Sequence, residues 1–207
     1  LGQSMDGNGA AAAVKLIQSF TFASALSLVV MAGAELFTGN NLVMAAASLR
    51  KKVSWADTVK LWCVCWIGNL IASLLCVVAF QLTGLPTAGD GAIADYFIKI
   101  SSAKVSLGVG QILVRAILCN ILVCLAVWCG TKMKTESGKL IMIFWCIFIF
   151  MVCGFEHSIA NMSVMAIGLM SPNGVAGLTI AGYFHNLLWV TLGNIIGGSI
   201  FVALPYY

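Results

Sequence analysis

Long apolar blocks alternate with short polar stretches along the whole chain. Five blocks stand out: Ala10–Ser48, Leu61–Leu82, Leu107–Cys129, Leu140–Met170 and Tyr183–Leu204. None alternates residue by residue, as the strands of a membrane barrel would. About 20 apolar residues carry a helix across a bilayer, so the second, third and fifth blocks each predict one span. The first and fourth are too long for one straight span. Polar residues interrupt them near Glu35–Asn41 and Glu156–Asn161. Each predicts a helix broken inside the membrane.

The two interruptions share a pattern. Gly33-Ala34-Glu35-Leu36-Phe37-Thr38-Gly39-Asn40 and Gly154-Phe155-Glu156-His157-Ser158-Ile159-Ala160-Asn161 both read G-x-E-x-x-x-x-N. A second echo follows each: Gly68-Asn69-Leu70-Ile71 and Gly193-Asn194-Ile195-Ile196. The offsets, 154 against 33 and 193 against 68, are 121 and 125 residues. Two echoes in the same order predict a duplicated unit, residues 1–83 and 105–207. The second unit reads span, broken span, span; the first has only broken span, span. A helix matching Leu107–Cys129 is therefore expected before Leu1, and the start Leu1-Gly2-Gln3 has neither an initiator Met nor a signal sequence. Three spans per unit would make the two units inverted.

Composition agrees with the pattern. The chain is 61% hydrophobic and 9% charged, against roughly 25% charged for a soluble domain. The fold class is an all-α polytopic membrane protein. The net charge of +4 sits mostly in short loops and reports topology, not nucleic-acid binding. Arg50, Lys51, Lys52 and Lys60, against Asp57, fall on the same face as Lys132, Lys134 and Lys139, against Glu136. The other face carries Asp6, Asp90, Asp95, Lys99, Lys104 and the uncharged loop Ser171–Gly182. The positive-inside rule makes the first face cytoplasmic. Both native termini are then cytoplasmic, as in an inner-membrane protein. All eight cysteines lie within apolar blocks without a C-x-x-C pair. They read as packing residues, and no metal or cofactor site is expected.

Chemistry concentrates at the breaks. A carboxylate inside a membrane is expensive and marks function or a firm structural role, which singles out Glu35 and Glu156. An anion path gains nothing from them. They are expected to lie off its axis and accept hydrogen bonds from freed backbone N–H groups, or pair with Arg115. His157 can donate a hydrogen bond when neutral and exchange a proton near neutral pH; the plain alternative is a buried ring bonded to a carbonyl. A half-helix N-terminus offers free N–H groups to an anion. Thr38, Gly39 and Asn40 lie at the first such terminus, and Thr38 is equally suited to cap it. Lys104 precedes the third block, where it either snorkels to headgroups or gathers anions at a mouth.

Four stretches resemble the formate/nitrite transporter family, which includes hydrosulfide channels. They are residues 33–40, Cys-Asn-Ile-Leu-Val-Cys-Leu-Ala-Val-Trp at 119–128, Gly-Phe-Glu-His-Ser-Ile-Ala-Asn-Met at 154–162 and His-Asn-Leu-Leu-Trp-Val-Thr-Leu-Gly-Asn at 185–194. The resemblance runs from about Phe22 to the C-terminus, and the 154–162 stretch is its most specific part. It implies an aquaporin-like inverted repeat assembled as a homopentamer in the lipid bilayer, with one pore per protomer. The family's first helix matches nothing here. The resemblance places the family's central histidine at His157. Its constrictions fall on Phe22 and Leu26 with Phe150, and on Leu36 and Phe37. Thr38 matches the loop threonine, Asn120 the pore asparagine and Lys104 the outer-vestibule lysine. Asn161 and Asn40 match within the two break motifs. The second half looks most like nitrite-type members, yet formate, nitrite and hydrosulfide all stay open as substrates.

The expected function is a channel for small anions of weak acids, not an enzyme. Rivals are proton-coupled anion transport, a neutral-solute channel and an intramembrane protease. A neutral-solute channel of the aquaporin kind carries Asn-Pro-Ala at its half-helix tips, whereas Pro86, Pro172 and Pro205 stand away from both breaks. A protease would need a nucleophile setting for Ser158, and no G-x-S-x-G exists.

Overall fold

The computed structural model describes the backbone of residues 8–171 and 178–207. The described chain is helical: α1 (Asn8–Ala32), α2 (Phe37–Leu49), α3 (Trp55–Leu82), α4 (Ala92–Val105), α5 (Val109–Lys132), α6 (Glu136–Cys153), α7 (Ser158–Met170) and α8 (Ile180–Ile196). A π-helical stretch, Gly197–Ala203, and a last turn, Leu204–Tyr206, continue α8. Among the described residues, five helical segments are long and apolar enough to cross a membrane: Ala13–Ala32, Trp55–Leu82, Val109–Lys132, Glu136–Cys153 and Ile180–Tyr206. The 13-residue helices α2 and α7 are about 20 Å long at 1.5 Å per residue, too short for a core of about 30 Å. They are the second halves of the two broken blocks.

Both breaks are built alike. α1 ends at Gly33 with φ +68°, and Ala34 N–H reaches back to the Val29 carbonyl at 2.9 Å. α6 ends at Gly154, also φ +68°, with Phe155 N–H on the Phe150 carbonyl at 3.1 Å. This bonding satisfies the last helical carbonyls through one left-handed residue, which a side chain would strain. Three non-helical residues follow each glycine, and the new helix starts at Phe37 or Ser158. The residues before those starts match closely: Leu36 has φ −121° and ψ 120°, His157 φ −112° and ψ 120°.

α5 is the axis of the packing. It lies against α6, α8 and the π-helical stretch, while α1 packs on α6, α3 on α2 and α7, and α4 on α7. Small residues bring α8 close. A methyl group on Gly193 would meet the Ala116 side chain at 2.5 Å, and one on Gly197 would strike the Ile117 carbonyl. This is the small-xxx-small contact of membrane helices. A methyl group on Gly198 would meet Asn41 and Asn120, each at 2.8 Å. The π-helical stretch thus begins where α8 presses on α5.

α4 was not among the five apolar blocks. Asp95, Lys99 and Lys104 break its hydrophobic run, and Ala94, Ile98 and Ser101 form its buried face. Pro86 lies in a short 3₁₀ turn, Leu85–Thr87, and Pro205 in the last turn. Pro172, Asp6 and much of the Ser171–Gly182 loop lie outside the described residues.

Candidate functional site

Each break is closed by the asparagine of the Gly-Asn echo. Asn69 accepts from Phe37 N–H at 3.0 Å and donates to the Glu35 carbonyl at 3.2 Å. Asn194 accepts from Ser158 N–H at 2.9 Å and donates to the Glu156 carbonyl at 3.1 Å. One amide thus ties the first N–H of a half-helix to the carbonyl two residues before it, satisfying one of the orphan donors of a helix start. The break motif closes on itself too. Asn40 donates to Glu35 and Asn161 to Glu156, both at 2.6 Å. The sequence echoes therefore encode one backbone clamp used twice.

The two half-helices meet through His157 and Thr38. His157 stands just before α7, and its Nδ1 accepts from Ala160 N–H at 3.1 Å. That bond places the ring proton on Nε2. Nε2 lies 3.1 Å from Thr38 Oγ1, so the ring donates and the threonine oxygen accepts. The Thr38 hydroxyl keeps its own proton for another acceptor. At the N-terminus of α2 no side chain of Leu36 caps the helix. The backbone of Thr38 is fixed from behind: its carbonyl accepts from Asn120 Nδ2 at 3.2 Å and from Cys124 Sγ at 3.4 Å. Fully buried Asn120 also donates to Asn41 Oδ1 at 3.0 Å and to the Asn194 carbonyl at 2.7 Å. It therefore joins α5 to both half-helix assemblies.

The carboxylates differ. Glu156 is 3% exposed, and both its oxygens lie 2.9 Å from Lys104 Nζ. Asn161 and Asn186 complete the ring: Asn161 donates to Asn186 Oδ1 at 2.9 Å, and Asn186 donates to the Lys104 carbonyl at 3.3 Å. Arg115 gives only its backbone carbonyl, to Glu156 N–H at 3.4 Å. The partner expected from Arg115 is supplied by Lys104, because α4 packs directly on α7. Lys104 is thereby committed to a part-buried ion pair, which offsets its charge at the site. Glu35 is exposed and holds Asn40.

Apolar residues cover one side of the imidazole. The Phe150 ring stacks on His157 with centroids 5.8 Å apart and planes 19° apart. Phe22 meets Phe150 edge-on at 6.0 Å. Leu26 is buried in the same cluster, and Leu36 packs against it. Phe37 instead packs with Leu42, Ala45, Trp62 and Cys124. Leu36 and Phe37, expected to share a constriction, thus sit in different clusters, because consecutive residues at a helix start diverge. Gly39 is buried beside Val127.

Sequence reasoning missed Asn41, Asn186 and Lys15 as parts of this region. Lys15 is exposed, and a methyl group built on Gly154 would meet its Nζ at 3.6 Å. Lys15, Ser19, Phe22 and Leu26 follow one helical face, i, i+4, i+7, i+11. That spacing was a readable signal.

The profile of the formate/nitrite transporter family matches residues 1–207. The nitrite transporter NirC of Escherichia coli (strain K12) is 36% identical over 196 residues, 93% of this chain and 70% of that protein. A probable formate transporter of Methanothermobacter thermautotrophicus is 39% identical over 210 residues, 94% of this chain and 74% of that one. Among solved structures, a pentameric formate channel with formate bound superposes with a TM-score of 0.82 at 30% identity, covering 94% of this chain and 82% of that one.

Proposed function

We propose that this chain, which belongs to the formate/nitrite transporter family, forms a pore for small monovalent anions of weak acids, with His157 and Thr38 as its central polar contact. The observation that carries the reading is the 3.1 Å approach of His157 Nε2 to Thr38 Oγ1 across two half-helix N-termini. An anion arriving there meets the free Thr38 O–H and the N-terminal end of α2, where unpaired N–H groups and the helix dipole favour negative charge. The ring donates through Nε2 to Thr38 and so aims that hydroxyl. Passing a proton through Nδ1 would break the bond to Ala160. Hydrogen-bond donation is therefore the resting role, and proton passage requires the α7 start to loosen. Phe150, Phe22 and Leu26 supply the dry side, which excludes hydrated ions.

The matched breaks support two repeat units, residues 1–83 and 105–207, in an aquaporin-like inverted arrangement with half-helix N-termini meeting at the centre. Lys104 and Glu156 act as scaffold beside the path, as do Asn161, Asn40 and Asn120. Since its relatives are transporters and channels, transport without catalysis is the reading for this chain. The pentameric neighbour supports a homopentamer, which on this reading has one pore per protomer. The positive charge of the loops supports a cytoplasmic α2–α3 turn in an inner-membrane protein. Proton-coupled transport is the second reading, favoured by the contact of a titratable ring with the path hydroxyl. The test is flux of formate, nitrite and hydrosulfide into proteoliposomes, with and without a pH gradient. Accumulation driven by the gradient selects coupling; equilibration alone selects a channel; no flux of any of the three overturns both.

A further inference from the structure

The turn between α2 and α3 contains a lysine in a backbone position built for glycine. Lys51 has φ +57°, the one non-glycine residue with positive φ among the described residues. Its N–H bonds the Ser48 carbonyl, and Lys52 N–H bonds the Ala47 carbonyl, each at 2.9 Å. This is the helix ending that uses Gly33 and Gly154 at the two breaks. A side chain is strained there. The strained lysine and its neighbour Lys52 line an open cleft of about 560 Å³ together with Ser48, Leu49, Val53, Ser54 and Trp55. Arg50 precedes Lys51 in the chain, and Lys60 follows Trp55 on α3. The one acid in the turn, Asp57, is engaged by the Ser54 hydroxyl at 2.6 Å.

We propose that this cleft binds the phosphate headgroup of an anionic phospholipid. α3 has 28 residues and is about 42 Å long, more than the hydrocarbon core of about 30 Å. Its first turn therefore stands in the headgroup layer. Trp55 is 51% exposed, an amphipathic ring of the kind that anchors at that depth. Below it Val59 and Cys63 are exposed at i+4 and i+8, a strip along which an acyl chain can run. Two lysines at a cleft shared with Trp55, next to an exposed apolar strip, match a phosphodiester with its tails. Charge complementarity selects an anionic lipid over a zwitterionic one.

The inference rests on the chain crossing a membrane and not on which anion it conducts, so its test does not use flux. The purified protein, in mixed micelles of phosphatidylglycerol and phosphatidylcholine with equal acyl chains, is analysed by native mass spectrometry for retained lipid. Wild type is expected to retain phosphatidylglycerol preferentially, and K51Q/K52Q to lose about fivefold in that preference per lysine. K132Q/K134Q, which removes equal charge from the other basic loop, is expected to keep it. K51G relieves the backbone strain and is expected to melt no lower than wild type while losing its share of the preference. Equal retention of both lipids by wild type would overturn the proposal, as would equal losses in the two double variants or undiminished preference in K51G. Displacement of the lipid by millimolar inorganic phosphate would overturn it in favour of a free-phosphate site.

Discussion

Lys104 Nζ lies 2.9 Å from both carboxylate oxygens of Glu156, with the lysine side chain 17% and the glutamate 3% exposed. The charge that looked available at a pore mouth is spent inside the protein. Breaking a buried pair by removing one partner typically costs about 3–5 kcal/mol, because the other charge is left uncompensated. Lys104→Ala and Glu156→Ala should each destabilise the purified protein by about that much, and Glu156→Gln by less. The loss of flux in Lys104→Ala should be the same at low and high salt. A loss confined to low salt, with unchanged melting, would mean that Lys104 gathers anions.

Lys15 takes the opposite part. It is exposed beside Gly154, on the helical face that continues to Phe22 and Leu26. Lys15→Gln should lower flux roughly fivefold in 0.01 M salt, where the Debye length is about 30 Å, and hardly at all in 1 M salt, where it is about 3 Å. Initial rates in proteoliposomes at the two ionic strengths check this. Equal rates for variant and wild type at both would remove Lys15 from the path.

Asn194→Ala strands the Ser158 N–H and the Glu156 and Ala116 carbonyls. Each buried orphan costs about 1–3 kcal/mol. Asn69→Ala strands one N–H and one carbonyl in a half-buried setting and should cost less. Denaturation midpoints of the two variants in detergent check the order. Asn194→Asp keeps an acceptor for Ser158 N–H but turns a second oxygen on the Glu156 and Ala116 carbonyls in a buried site, and should not recover the loss.

The breaks were legible because their chemistry is local: a left-handed glycine, a carboxylate and an asparagine five residues beyond the carboxylate sit within one stretch of eight. The Gly-Asn echoes were visible as a repeat, but their purpose was not, since Asn69 and Asn194 act on residues 32 to 38 positions away. The partner of Glu156 was misplaced for the same reason. Arg115 and Lys104 are both distant in sequence, and only the packing of α4 on α7 selects the lysine. α4 was missed because its charges hide a narrow buried face. Leu36 and Phe37 were paired by the family resemblance, and only the packing puts them in separate clusters.

Phe150→Ala and Leu26→Ala open the dry side of the imidazole. Phe150 is 1% and Leu26 5% exposed, so truncation should cost about 3–5 and 2–5 kcal/mol respectively. Where the variants assemble, they should admit larger anions. Liposome swelling in a size series of carboxylates checks this, and an unchanged cut-off would place both side chains in the core rather than on the path.

The central contact is tested most directly by anion flux through His157→Asn and Thr38→Val in proteoliposomes, with formate, nitrite and hydrosulfide run in parallel over a range of pH. Asparagine before α7 still caps the helix, so His157→Asn should fold and assemble as wild type does. Losing the ring or the hydroxyl removes one hydrogen bond of about 1–1.5 kcal/mol from the path, close to tenfold in rate. Both variants should lose about that factor, with changed ratios among the three anions, and His157→Asn should also lose the pH dependence. Wild-type rates, ratios and pH profile in both well-assembled variants would contradict a pore centred on His157 and Thr38.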